Sequence, residues 1–198
     1  MTVLTPDEQL VLEPCDIFLT KGRGPISWAI RFFTRGVGES RTHVNHVGII
    51  VDAGSVHSAM AVEALTKVKR HRLARYARKP RTDVAVFRPI NLTDDEKATI
   101  VDKANDYVGR KYGVLKIATH LADWCLLGAY AFRRLTNSHN YPICSWVVAH
   151  AYLAADKDFD VEASAASPDD IWDFVTDDDN ADKYVQVRDL KPILPHLP

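Results

Sequence analysis

Three side chains, far apart in the sequence, have the types needed for thiol chemistry. In "NYPICSWVVAHAY" (140–152), Cys144 follows Tyr141-Pro142 and opens an apolar helical stretch. A thiol titrates near 8.5 when unperturbed, and a helix N-terminus or a nearby imidazolium favours its thiolate. The N–H groups of the first turn also point at any oxyanion that forms there. The alternative for Cys144 is a small buried hydrophobe, where most free cysteines sit. A nucleophilic thiol needs a base. Of the eight histidines, His46 stands out because it opens the β-rich run "HVGIIVD", where a rigid element would fix its ring. His150 lies between one and two helical turns beyond Cys144 and faces elsewhere. A third group must orient the imidazole. Glu63 in "AVEAL" is a carboxylate among apolar neighbours, a costly position unless it has partners. The alternatives are a satisfied strand-end histidine for His46 and an outward-facing strand residue for Glu63.

These residues need a scaffold. "CDIFLT" (15–20) reads as a strand and 22–36 as a helix, with Pro25 near its start and Gly36 at its stop. "HVGIIVD" (46–52), the turn signal "DAGS" and "VHSAMAVEAL" (56–65) read as a hairpin. The run "KVKRHRLA" continues as an edge strand, and "DVAVFRPI" (83–90) is a further strand. Residues 93–108 carry a helix signature, with Thr93 as N-cap, Glu96 at the capping-box position and Gly109 after the end. An apolar helix follows at 113–132, interrupted by Lys116, His120 and Asp123 and so not a membrane span. The Cys144 helix comes next, then a short helix over 167–175 with Ser167 as cap and Pro168 at its first position. "KYVQVRDL" (183–190) reads as a last strand. The expected class is α+β: one domain over 1–198, with a central antiparallel sheet packed against helices.

The order of these motifs resembles a known family. The run "PCDIFLT … ISWAIRFFTRG … NHVGIIVD … VEAL … DVAVFRP … YVGRKYG … YPICSWVVAHAY … SPDDIW" is similar to the circularly permuted branch of the NlpC-type papain-like hydrolases. That branch holds the YiiX-like proteins and the lecithin:retinol acyltransferase relatives. The resemblance spans about 15–175, leaving 176–198 as a C-terminal extension. It implies a permuted papain-like fold with Cys144 as nucleophile, His46 as general base and acid, and Glu63 as the orienting residue. Around that triad, Asp16, Ser27, Trp28, Arg31, Tyr112 and Ser145 form the expected substrate-binding set. The chain departs from the family in having Cys15-Asp16 where Gly-Asp is usual, and Asn45 where Ser often precedes the histidine.

The implied reaction cleaves an amide or ester through an acyl-enzyme, with a peptidoglycan-type peptide or amide as the leading substrate. The alternatives are a lipid acyl hydrolase or acyltransferase, and a non-catalytic binding module on the same fold. For the lipid reading, 26–33 and 113–132 could frame an acyl groove; core packing is the competing account. Trp28, Tyr112 and Trp146 are candidates for the cleft wall. Arg31, Arg35, Arg41 and the basic run 67–81 are candidates for holding an anionic group, against the simpler account of a solvated face.

Bulk properties narrow the field. The 198 residues, 46% hydrophobic and 26% charged, suit an ordinary globular domain, and a net charge of −1 gives no pull toward nucleic acid. Cys15, Cys125 and Cys144 are too few and too scattered for a disulfide framework, and no Cys/His spacing suggests zinc. His43 and His46, three apart on a strand approach, do not share a face. No cofactor or metal is expected, and the partner is a small-molecule, peptide or lipid substrate. The N-terminus lacks a basic n-region followed by an apolar run, so a cytoplasmic location is expected. A wall substrate would then be met as recycled fragments, or by a phage-borne enzyme that reaches the wall through a pore.

Overall fold

The computed structural model describes residues 9–23, 42–79, 81–111 and 143–194. Its centre is a six-stranded antiparallel sheet with strand order β6-β5-β3-β2-β7-β8. The strands are β2 (Ile17–Gly22), β3 (His46–Asp52), β5 (Met60–Ala64), β6 (Val68–Arg72), β7 (Thr82–Pro89) and β8 (Tyr184–Pro192). Two short strands, β1 (Val11–Leu12) and β4 (Gly54–Ser55), pair separately. The helices are α1 (Asp94–Asp106), α2 (Cys144–Leu153) and α3 (Pro168–Thr176). The class is the α+β architecture that the hydrophobic patterning implies.

Both faces of the sheet are covered, so its inner strands are apolar without alternation. Ile17, Leu19, Val47, Ile49, Val62, Ala64, Ala85 and Phe87 share a core with α1, α2 and α3. Phe18, Ile50, Ala61, Val84 and Val86 form a second core with Leu12, Val56, Leu73 and Tyr76. A 3-10 helix, Leu73–Arg78, carries the last two of these. It was not legible in "RLARYARK", where basic residues are as many as apolar ones.

Local signals explain the helix boundaries. Thr93 accepts from the Glu96 N–H at 3.2 Å, and Glu96 accepts from the Thr93 N–H at 2.7 Å, completing a capping box. Ser167 and Asp170 do the same for α3, with Pro168 in the first turn. Helix α2 is buried nearly all round, which is why its sequence shows no polar stripe.

Several expected boundaries move. Strand β2 runs through Gly22, so no helix begins there; residues 24–41 lie outside the described ones, as does 113–132. Cys15 precedes the strand, in a turn with φ of 73°. That left-handed conformation is one that glycine adopts more readily than cysteine. The partner strand starts at Met60 rather than Val56, because residues 56–58 turn the chain first. Tyr184–Pro192, assigned by sequence to an extension, is an integral sixth strand paired with β7.

Basic side chains occupy the β6 edge: Lys69, Arg70 and Arg72 are exposed, and Arg70 pairs with Asp52. Charge on an edge strand discourages pairing with another chain. This part of the basic run is therefore a solvated face.

Candidate active site

His46 is the first residue of β3 and Cys144 the first residue of α2. The two elements pack together, so both functional groups stand at the ends of rigid supports. Strand β2 fixes the histidine end. His46 pairs in register with Thr20; the Asn45 N–H donates to the Thr20 carbonyl at 2.9 Å, and the Gly22 N–H donates to Asn45 Oδ1 at 2.7 Å. Asn45 thus ties the start of β3 to the end of β2.

The structure brings Cys144, His46 and Glu63 together. His46 Nε2 donates to Glu63 Oε2, and the imidazole is also hydrogen-bonded with the Cys144 side chain. The backbone N–H groups of Val47 and Ser145 also donate to that sulfur. Burial works against the charged form of each member: Cys144 is 6% exposed, and the side chains of His46 and Glu63 are 14% and 0% exposed.

Mutual attraction overcomes that cost. Burial pushes the Cys144 thiol up, but the facing imidazolium and the two N–H donors bring it below its ordinary value. Burial alone would lower His46; the Cys144 and Glu63 charges outweigh it and raise the imidazole to about 10. Burial would likewise raise Glu63, yet His46, His71 and Tyr76 hold its carboxyl well below the usual carboxylate range. A thiolate–imidazolium pair backed by an ionised carboxylate is what these environments favour.

Glu63 has more partners than the sequence suggested. His71 Nε2 donates to Oε1 at 2.5 Å, Arg75 Nη1 to Oε1 at 3.2 Å and the Tyr76 hydroxyl to Oε2 at 2.6 Å. All three donors come from the segment 67–81, which reads in the sequence as one basic run. A signal was available: a buried carboxylate on one strand demands donors on the next.

Other expected site residues are placed differently. Asp16 is fully buried at the opposite end of β2 from Thr20. Both its oxygens accept from Arg88, at 2.8 Å each, and Oδ2 accepts from the Glu13 N–H at 2.8 Å. These bonds brace the turn before β2. Ser145 is adjacent to the sulfur, but its hydroxyl donates to the Ala166 carbonyl at 2.6 Å; its contribution to the site is its backbone N–H. Trp146 is no cleft wall: it is fully buried, edge-on to Tyr107 with ring centroids 4.9 Å apart. Ser27, Trp28, Arg31 and Tyr112, with Arg35 and Arg41, lie outside the described residues.

Cys15 does not share the site. It is fully buried, and desolvation pushes its thiol up to about 12. His43 stacks on Trp172, with ring centroids 5.6 Å apart and planes at 9°. Among the described residues no group of three or more His, Cys, Asp or Glu side chains is arranged to hold a metal ion, and no helix is long and apolar enough to cross a membrane.

No protein-family model matches the chain, and no curated protein matches it. Among solved structures it is similar to the crystal structure of metalloprotein yiiX from Escherichia coli O157:H7. The two are 20% identical; the match covers 72% of this chain and 66% of that one, with a TM-score of 0.48. The chain thus spans just under two thirds of that protein's length. A likeness of this size leaves the chemistry to be argued from the site.

Proposed function

We propose that the protein is a thiol hydrolase of the permuted papain-like kind, with Cys144 as nucleophile, His46 as general base and acid, and Glu63 as the residue that orients His46. The observation that carries this reading is the contact of Cys144, at the head of α2, with an imidazole that is itself bonded to a buried carboxylate. In this reading the Cys144 thiolate attacks an amide or ester carbonyl, forming a C–S bond. The carbonyl oxygen takes up negative charge beside the first-turn N–H groups of α2, where one well-placed donor is worth about 3–4 kcal/mol. The proton on His46 passes to the departing amine or alcohol as its bond to carbon breaks. Water, deprotonated by His46, then releases the acid from the thioester.

A peptidoglycan-type peptide or amide is the proposed substrate class, and the resemblance in motif order supports it. The test is turnover of muropeptide amides beside short-chain lipid esters, with mass spectrometry on Cys144 for the acyl adduct. Cleavage of the former, with an adduct absent from Cys144→Ala, is expected. Turnover confined to lipid esters would move the substrate class. A Cys144 thiol with ordinary reactivity and no adduct from either would leave a binding module.

A further inference from the structure

The second imidazole on Glu63 has no part in the mechanism above. Glu63 Oε2 accepts from His46 Nε2 and the Tyr76 hydroxyl, and Oε1 accepts from His71 Nε2 and Arg75 Nη1. A carboxylate offers about four lone-pair sites, so these donors fill it and fix its plane. The arrangement is also directional. His71 Nδ1 lies 2.9 Å from the Arg72 carbonyl oxygen, an acceptor, and Nε2 faces a carboxylate, also an acceptor. Both ring nitrogens thus have a partner, Nε2 on the carboxylate and Nδ1 on the backbone, and the ring cannot flip without losing a contact. His71 is only 18% exposed, and it sits on β6, the neighbour of the strand that bears Glu63.

We propose that His71 is a positioning residue: by holding Glu63 Oε1 it presents Oε2 to His46 and so sets the thiolate fraction of Cys144. This deepens the hydrolase reading and rests on it. Around the same carboxylate, Arg75 is one-third exposed, and Lys79 lies over the Tyr76 ring, 5.0 Å from its centroid.

The test is the pH profile of iodoacetamide alkylation at Cys144, located by mass spectrometry, in the parent, His71→Leu and His71→Gln. The parent should show a thiol pKa below the ordinary value. His71→Leu should raise it by about one unit, slowing alkylation on the acid side about tenfold. His71→Gln, which keeps an N–H donor, should recover most of the loss. A His71→Leu profile that superimposes on a parent profile with a lowered pKa overturns the positioning role and leaves the hydrolase reading standing. A parent thiol that titrates as an ordinary cysteine overturns both. The unaltered protein gives a second measurement if His71→Leu does not fold. On alkylation of Cys144, the ring-nitrogen resonances of His71 should move with those of His46, and stationary His71 resonances overturn the proposal.

Discussion

A carboxylate can lie fully buried only where donors replace its water, and at Glu63 they come from β3, β6 and the 3-10 helix. The need for partners was legible in "AVEAL"; their identity was not, because His71 and Tyr76 meet Glu63 through the fold and share no period with it. The site's charge state gives a signed prediction. His46, raised to about 10, contributes stability that is complete below its unfolded value near 6.5 and is lost as pH rises through about 10. Cys144, lowered, contributes stability that is complete above its ordinary value, about 8.5–9, and is lost as pH falls through its folded value. Between about 6.5 and 9 the two slopes oppose: folded and unfolded chains each hold one proton on the pair. Cys144→Ala removes one slope while Glu63 keeps His46 raised. Its stability relative to the parent should therefore fall as pH rises above about 6.5, by up to 1.4 kcal/mol per unit. Urea midpoints of both proteins at pH 6, 7 and 8 check this; parallel midpoints across that range would show that His46 and Cys144 do not share a proton as described.

At the scale of elements, the strands and helices that present the site follow from short-range rules. Their neighbours follow from packing. "HVGIIVD" and the Thr93–Glu96 box were readable because β-branching and capping act within a few residues. Gly48 shows what such rules miss. It is register partner to Phe18, and a Cβ there would lie 2.4 Å from the Phe18 ring and 2.9 Å from the Val62 carbonyl oxygen. Phe18 is itself fully buried and stands edge-on to Tyr76, 5.8 Å between centroids, and Tyr76 donates to Glu63. Gly48→Ala should cost about 1–3 kcal/mol by overpacking. It should also slow Cys144 alkylation at neutral pH, because the ring that must move backs one of the donors on Glu63. A denaturant midpoint and an alkylation rate measured together check both halves; a loss of stability without any change in rate would confine the effect to packing. The capping box offers a contrast at equal range from the sequence: Thr93→Ala should cost about 1 kcal/mol and leave the alkylation rate unchanged.

For the molecule as a whole, the last strand is the part whose role lies in packing and not in the site. The resemblance in motif order ends near residue 175. Packing continues through β8, which pairs with β7. Tyr184 sits with Tyr152, Phe159 and Phe174, at centroid distances of 6.5, 6.3 and 5.9 Å. Arg188 is 3% exposed and donates to the carbonyls of Val84, Lys191 and Pro192. Tyr152 in turn donates its hydroxyl to the Cys15 carbonyl at 2.6 Å, so the aromatic cluster that β8 completes also ties the helix bearing Cys144 to the turn before β2. Removing residues 176–198 would bare the β7 edge along its whole length and open that cluster to water. An exposed, apolar, unprotected edge is a template for pairing with another chain. The truncated chain should therefore lose its cooperative thermal transition and aggregate, whereas one ending after Ile193 should melt like the parent. A cooperative, parent-like transition in the shorter chain would mean that β8 is an appendage and that the sheet's stability lies in its other five strands.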